Sequence, residues 1–442
     1  MRKILQFCFL SAVSSAFLSA PSHAQTLRDS IEQAIQNHPS IASAQAGYAG
    51  AQYAEDLEKS DYYPEISFGI TAGRVYQDNS TSRGLTVDRG AAYSGYGEGN
   101  IAVRQMIFDG FETGSRVNAA NARLQSRGYV LLDREHILTL KVSRNYVDIL
   151  RVSNGLNILS EQAESIKDYE QRIIAMVNEG VADEAELQQA RDVSMVIDAA
   201  IADYEGQLMS AKATYVELTG HDVSKDLYVP KSLTGYISAD VNDVVSKVLV
   251  DHPMLKSADH DAVAISHDVK AEKAQFYPDV SGELSYLKND KKDVIGGESE
   301  DARAVIRMNW SFSTGGAVAS ATHQKQQQHL EAIAKKDEIE RQIKRDIHQS
   351  YAKYQANQTK LALSIDRVDL NEKLLSAYKS QFEGARINLL SLMRAESQLY
   401  KARLEKSGNK FNLLAAEYDV LSASGMLKDI VFAQNTGADD AP

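Results

Sequence analysis

Two different periodicities alternate along this chain. Ile66, Phe68, Ile70 and Ala72 share one side of a stretch whose other side is Ser67, Gly69, Thr71 and Gly73. Ile101, Val103 and Ile107 repeat the pattern more weakly over 100–108. Val280, Gly282, Leu284 and Tyr286 alternate with Ser281, Glu283 and Ser285, and Ala304, Ile306, Met308, Trp310 and Phe312 with Arg303, Val305, Arg307, Asn309 and Ser311. Period two with one apolar side predicts four strands, paired as hairpins over about 65–108 and 279–312. Polar, glycine-rich loops are expected between them, at 77–99 and 288–301.

The rest of the chain has a helical period. From Gly114 to Asn178 there is no proline, and Val142, Tyr146, Ile149, Leu156 and Leu159 step by three, four and seven. Ile339, Ile343, Ile347, Tyr351 and Tyr354 do the same, followed by Leu361, Ile365, Val368, Leu375, Tyr378 and Phe382. These are coiled-coil-like seams. A helix of such length spans roughly 100 Å at about 1.5 Å per residue, too long for a compact domain. Gly180 and Gly384 sit where left-handed C-terminal caps are expected. Asp183 and Asn388 are natural N-caps of the next helices, with Glu186 three residues on as in a capping box. Each long helix therefore folds back on a partner helix that stops at Gly220 or Gly425.

The two halves are copies. Pro39 and Pro64 lie 25 residues apart, as do Pro253 and Pro278, at an offset of 214. NHPS returns as DHPM and EKSDYYPEIS as EKAQFYPDVS. Phe108 answers Phe312 and Gly180 answers Gly384 at 204; Asp183 answers Asn388, and Gly220 answers Gly425, at 205. Ordered matches at so few offsets indicate internal duplication. Each repeat begins with a helix broken near its His-Pro step, over 27–60 and 241–274, because proline restricts the residue before it and lacks a donor.

The ends and the charge narrow the class. Residues 1–24 read as a secretory signal: Arg2 and Lys3, an apolar run from Ile4 to Leu18, and a small-residue cleavage site at Ser22-His23-Ala24. Cleavage after Ala24 removes two cations and no acid, taking the formal charge from −12 to −14. That excess argues against nucleic acid as a partner. The single cysteine, Cys8, lies inside the signal, so the exported chain is expected to carry neither disulfide nor lipid anchor. Repeats are expected at 25–225 and 241–428, with a linker at 226–240 and a disordered acidic tail at 429–442.

A soluble protein could half-bury such strands in a small sheet. An exported, acidic chain also allows a membrane barrel, since strands of about ten residues with small or polar residues opposite apolar ones fit a barrel wall. Aromatics cluster at the strand ends, at Tyr62, Tyr63, Phe276, Tyr277 and Trp310, as in an interfacial girdle. Four strands cannot close a barrel, and open edges cannot stand in lipid. Several chains would therefore have to share one.

Other constellations carry less chemistry. His260 and His267, with Asp259, Asp261 and Asp268 nearby, read either as a metal site or as a solvated helix face. No HExxH or paired CxxC is present. Gly296-Gly297 and Gly315-Gly316 are turns rather than phosphate loops, since no GK[ST] follows. No nucleophile has a catalytic context, so neither enzyme activity nor a cofactor is expected.

The duplicated His-Pro helix, the Tyr-Pro hairpin entries (YYPEIS, FYPDVS), the FDG and FSTGG exits and the paired tips EGVADEAELQQAR and FEGARINLLSLMRAE together resemble the outer-membrane efflux protein family, the TolC-like ducts. The resemblance covers nearly the whole mature chain. It implies a mainly α fold with membrane β: an α-helical barrel continuing a shared 12-stranded β-barrel, built by a homotrimer. It also implies an outer-membrane location with a long periplasmic extension, and docking to a periplasmic membrane-fusion adaptor and an inner-membrane ABC transporter or proton-driven pump. The lipid-facing residues would be Ile66, Phe68, Ile70, Ile306, Met308, Trp310 and Phe312. The tips would turn at Gly180, Asp183, Gly384 and Asn388. Aligned by tip, the family's entrance-closing tyrosine and arginine fall on Phe382 and Ile387, and their aspartate partner on Glu186. The family's two narrowing aspartates fall on Ser391 and Arg394. Phenylalanine and isoleucine cannot donate those hydrogen bonds. Closure is therefore expected to be apolar here, with Arg394 near Glu186 or Asp183. The expected function is an exit duct, leaning to type I protein secretion, with drug or metal efflux as the alternative. A soluble periplasmic coiled-coil scaffold is the rival from another class, and an exported hydrolase a third.

Overall fold

The computed structural model describes residues 25–77, 92–291, 298–384 and 387–433. The expected signal segment and residues 434–442 lie outside the described residues. Helix α1 (Leu27–Asn37) starts at a capping box, in which Thr26 and Asp29 bond each other's backbone N–H. Leu27, Ile31 and Ala34 form its buried stripe. The chain then bends at His38 into α2 (Pro39–Ser60). The second repeat has the same pair, α5 (Val241–Asp251) and α6 (Pro253–Ala274), bent at His252. At each bend the imidazole Nδ1 accepts the N–H two residues on, at 3.1 Å from Ser40 and 3.2 Å from Met254. Proline at the first helical position costs no bond, since that N–H has no partner inside a helix.

Each bent helix leads into a hairpin: β1 (Glu65–Gln77) with β2 (Ala92–Phe108), and β3 (Asp279–Lys291) with β4 (Glu298–Asn309). The strands form one antiparallel sheet in the order β1-β2-β3-β4. Three of them run further than the alternation predicts. Strand β2 begins at Ala92 rather than near 100, and β3 and β4 occupy residues expected to be loop at 288–291 and 298–301. Backbone pairing continues there through residues with no apolar side, which period-two reasoning cannot detect. At the other end β4 is shorter than expected. It stops at Asn309, leaving Trp310 and Phe312 beyond the strand. The Trp310 indole N–H donates to the Phe276 carbonyl at 3.3 Å, and its ring lies 4.6 Å from that of Phe312.

After each hairpin comes a helix of 67 residues, α3 (Glu112–Asn178) and α7 (Ala317–Glu383), each roughly 100 Å long. They fold back on α4 (Glu184–Thr219) and α8 (Leu389–Ala423). Gly180, Gly220 and Gly425 take left-handed conformations, at φ 75°, 75° and 70°. Gly384 does not: its φ is −81° and its N–H still bonds Ser380 O at 3.2 Å. The helical bonding of α7 thus continues through the expected cap.

The segment expected to be a plain linker is a packed strap. Gln25 and Leu227 form a parallel bridge. The Tyr146 hydroxyl lies 2.7 Å from Gln25 O and 2.8 Å from Tyr228 O. Glu417, 2% exposed, accepts hydrogen bonds from Leu233 N at 2.7 Å, Thr234 Oγ1 at 2.7 Å and Ser232 Oγ at 2.8 Å. The Tyr351 hydroxyl donates to Ser238 O. Tyr146 and Tyr351 sit 205 residues apart, at matching points midway along α3 and α7. The acidic tail is also shorter than expected. Helix α9 (Leu427–Ala433) buries Leu427 and Val431 against the main core, because its apolar residues recur at helical spacing despite the charge that follows.

Hydrogen bonds to a charged acceptor contribute about 1.5–3 kcal/mol. Glu417→Ala is therefore expected to destabilise the protein by about 2–3 kcal/mol. Thermal unfolding of detergent-extracted protein, followed by circular dichroism, reads this. Lys212, at the matching first-repeat position, is exposed, and Lys212→Ala should leave the midpoint unchanged. Equal effects of the two substitutions would mean that the strap is not clamped.

Candidate channel wall and entrance

The sheet carries one continuous apolar face. Ile66 pairs with Val103 and Phe68 with Ile101; Val103 in turn pairs with Leu284 and Ile101 with Tyr286; Ile306 lies opposite Gly282 and Met308 opposite Val280. This band is exposed rather than packed on a core: Phe68 and Ile70 are 71% exposed and Ile306 77%. An apolar area of this kind marks a surface that meets something other than water. The opposite face is polar, with Glu65 across from Arg104, Arg104 across from Glu283, and Arg307 at 3.3 Å from Glu283. Among the described residues strand β1 pairs only with β2 and β4 only with β3, so each outer strand presents a row of backbone groups with no strand beside it there.

At the far end of the long helices lie the two hairpin turns. Ile166, Ile173, Leu187, Leu375, Leu389, Leu390 and Met393 form a core just behind them, with Phe382 half-buried against it. Ile387 is half-exposed. Asp183 caps α4 by accepting from Ala185 N at 3.3 Å. Glu186 does not close a capping box. Its carboxylate instead accepts from Asn388 Nδ2 at 2.6 Å. Asn388 caps α8 through Ser391 N at 3.1 Å, with the Ser391 hydroxyl 2.6 Å from the same oxygen. Arg394 donates to Gln189, one turn beyond its expected acidic partners. The Glu186–Asn388 and Gln189–Arg394 pairs therefore make polar links between the two hairpins, the Ser391 hydroxyl bonds Asn388 at the start of its own helix, and Phe382 packs on the core behind them.

A second set of links, which no periodicity in the sequence marks, lies further along the helices. Gln162 Nε2 donates to Ser397 Oγ at 3.1 Å, and Ser165 Oγ donates to Glu396 at 2.7 Å. The Tyr169 hydroxyl donates to the same carboxylate. Burial, with the Glu396 charge behind it, pushes the Tyr169 phenol well above its usual range, so it stays a donor. The available signal was a run of polar residues inside an apolar seam, at 162, 165, 396 and 397. Of the two histidines considered for a metal, His267 has a buried Nδ1 with no hydrogen-bond partner among the described residues. His260 stacks on Tyr129 at 5.5 Å, and Asp268 pairs with Arg123. Among the described residues no group of three or more His, Cys, Asp or Glu is placed to hold a metal ion. Nor is any described helix long and apolar enough to cross a membrane.

The profile of the outer membrane efflux protein family matches residues 30–221 and 244–426, one segment in each repeat. The chain belongs to this family. The outer membrane efflux protein BepC of Brucella suis is 20% identical over 91% of this chain and 86% of its own length. The alkaline protease secretion protein AprF of Pseudomonas aeruginosa is 24% identical over 97% of this chain and 90% of its own. The crystal structure of the Campylobacter jejuni CmeC outer membrane channel superposes with a TM-score of 0.79 at 14% identity, over 94% of this chain and 90% of that one. This efflux-family chain is thus an outer-membrane channel component, mainly helical, with a small β domain and a long helical extension.

Asn388 offers a clean separation of two local roles. Asn388→Asp keeps an N-cap acceptor but sets two carboxylates against each other at Glu186. Asn388→Ala loses both the cap and the link, at a cost of about 1 kcal/mol or more. Hydrogen exchange at the tips should therefore rise on both sides of the link in the aspartate variant, and additionally in the first turn of α8 in the alanine variant. Unchanged exchange in α4 in both variants would show that Glu186 does not depend on Asn388.

Proposed function

We propose that three copies of this chain close one 12-stranded barrel and continue it as a helical tunnel, forming the passive exit duct of a tripartite export system. The observation that carries this reading is the exposed apolar face on a sheet with two unpaired edges. Lipid covers such a face, but it cannot satisfy backbone edges. An edge-to-edge partner is required, and a second copy supplies the complementary strand. Ile66, Phe68, Ile70, Ile306 and Met308 then face lipid. Trp310 and Phe312, just beyond β4, sit at the interface level, where aromatic rings with one wet end are favoured.

The helical end is the entrance in this reading. Phe382 and Ile387 close it by apolar contact, and the Glu186–Asn388 and Gln189–Arg394 links hold the two hairpins of one chain together. A periplasmic adaptor and an inner-membrane transporter drive opening. The cargo assignment leans to protein secretion by a type I system. Supporting it is the likeness over nearly the full length to a protein named for alkaline protease secretion. Likeness to a protein named for efflux favours small-molecule export as the second reading.

Three measurements test this. Native mass of the detergent-extracted protein is expected to give three chains per particle; a monomer or dimer would sink the shared barrel. In planar bilayers, Phe382→Ala and Ile387→Ala are expected to raise single-channel conductance above the parent, and parental conductance in both would remove the apolar gate. Deletion of the gene is expected to remove a protein from the culture medium while leaving drug susceptibility unchanged. The reverse pattern would favour the efflux reading.

A further inference from the structure

The duplicated His-Pro bend has diverged in its chemistry. In both repeats the imidazole Nδ1 accepts a backbone N–H at the start of the next helix, so that nitrogen must be unprotonated. In the first repeat the ring has alternatives. The Ser40 hydroxyl lies 2.7 Å from His38 Nδ1 and can turn to accept from it, and Glu217 lies 3.5 Å from Nε2. A protonated His38 therefore keeps a partner at each nitrogen. In the second repeat Met254 stands where Ser40 stands, at the offset of 214, and Ser422 stands where Glu217 stands, at the offset of 205. Neither can satisfy an imidazolium as its counterpart does.

His252 also opens on a cavity of about 350 Å³ between α3, the α5–α6 bend, α7 and α8. Asp133, His136 and Arg144 reach it from α3, Asp346 and Lys353 from α7, and Asp419 from α8. Arg144 pairs with Asp419, and Asp251 beside His252 pairs with Lys256 at 2.7 Å. His136 has a buried Nδ1 with no hydrogen-bond partner, with Asp429 and Lys428 of α9 also near it. Burial, with His136 second, holds His252 down at about 4.

We propose that the α5–α6 bend is an acid-released hinge, whereas at its duplicate, α1–α2, Ser40 and Glu217 can accept from both ring nitrogens of an imidazolium and so offset the lost Ser40 N–H bond. Protonating His252 removes the acceptor of the Met254 N–H and places a cation at the positive end of the α6 dipole. The closed bend excludes a proton that the open bend binds. Its stability is therefore complete above the ordinary histidine value of about 6.5 and is lost as pH falls from there towards 4. Acid would thus loosen one repeat and not the other, breaking the near-symmetry of the two copies. This inference needs only the fold and does not depend on cargo, oligomer or gate.

The test is hydrogen exchange by mass spectrometry on the full detergent-extracted chain, from pH 7.5 to 4.5, with protection corrected for intrinsic exchange. The first turn of α6 is expected to lose protection by about tenfold or more, while the first turn of α2 loses little. His252→Asn retains a capping side chain that does not titrate, and should abolish the loss. Met254→Ser with Ser422→Glu transplants the first repeat's partners and should also abolish it. No loss in the parent, an equal loss at both bends, or a loss that persists in both variants would overturn the hinge.

Discussion

The unpaired edges of β1 and β4 set the terms for the rest of the structure. A four-stranded sheet with one exposed apolar face could turn that face onto a core if the chain supplied one. This chain spends its helices elsewhere, in two 67-residue rods and their return partners. The apolar face is left outward and the edges open, so lipid and further strands are the surroundings that suit both. The length of the rods follows the same logic. Helices of roughly 100 Å cannot pack round a compact core, and each instead buries a narrow seam along its neighbours.

The two repeats are joined by the β2–β3 pairing and shared apolar cores, and a polar strap adds to these. The connector from Leu227 to Ser238 crosses the middle of the long helices and is held by Tyr146, Glu417 and Tyr351. Carbonyls and hydroxyls of a non-helical segment must find partners when buried, and these three side chains provide them. The two tyrosines occupy duplicate positions, so the same residue does the same work in both copies. Glu417 has no such twin, since the matching residue is the exposed Lys212.

Duplication followed by divergence recurs at every junction. Phe111 takes the left-handed conformation at φ 69° that Gly316 takes in the second copy. It sets its ring edge-on to Phe108, 5.6 Å away, at a backbone cost that glycine avoids. Gly180 is left-handed and Gly384 is not. His38 has a serine and a glutamate to share, while His252 faces a cavity. The repeats thus keep their element order while their local chemistry separates, so the two copies are not equivalent.

Much of this was legible in the chain. Period two and the seam spacing report which side of each element is apolar, and that side decides how an element can be buried. The matched prolines and glycines marked the bends and stops, since their backbone constraints act locally. Strand ends differ from the alternation where apolar residues run out before the ladder does, as at Ala92, or continue past it, as at Trp310. The strap, the Glu396 clasp and the Glu186–Asn388 link were beyond reach of sequence reasoning. Each joins groups 82 or more residues apart. A polar residue carries no mark of its distant partner until packing brings the two within hydrogen-bond range. The sequence by itself therefore determined the elements, their order and their doubling. Only the tertiary structure decided which polar groups lock them, because that choice depends on distances no periodicity encodes.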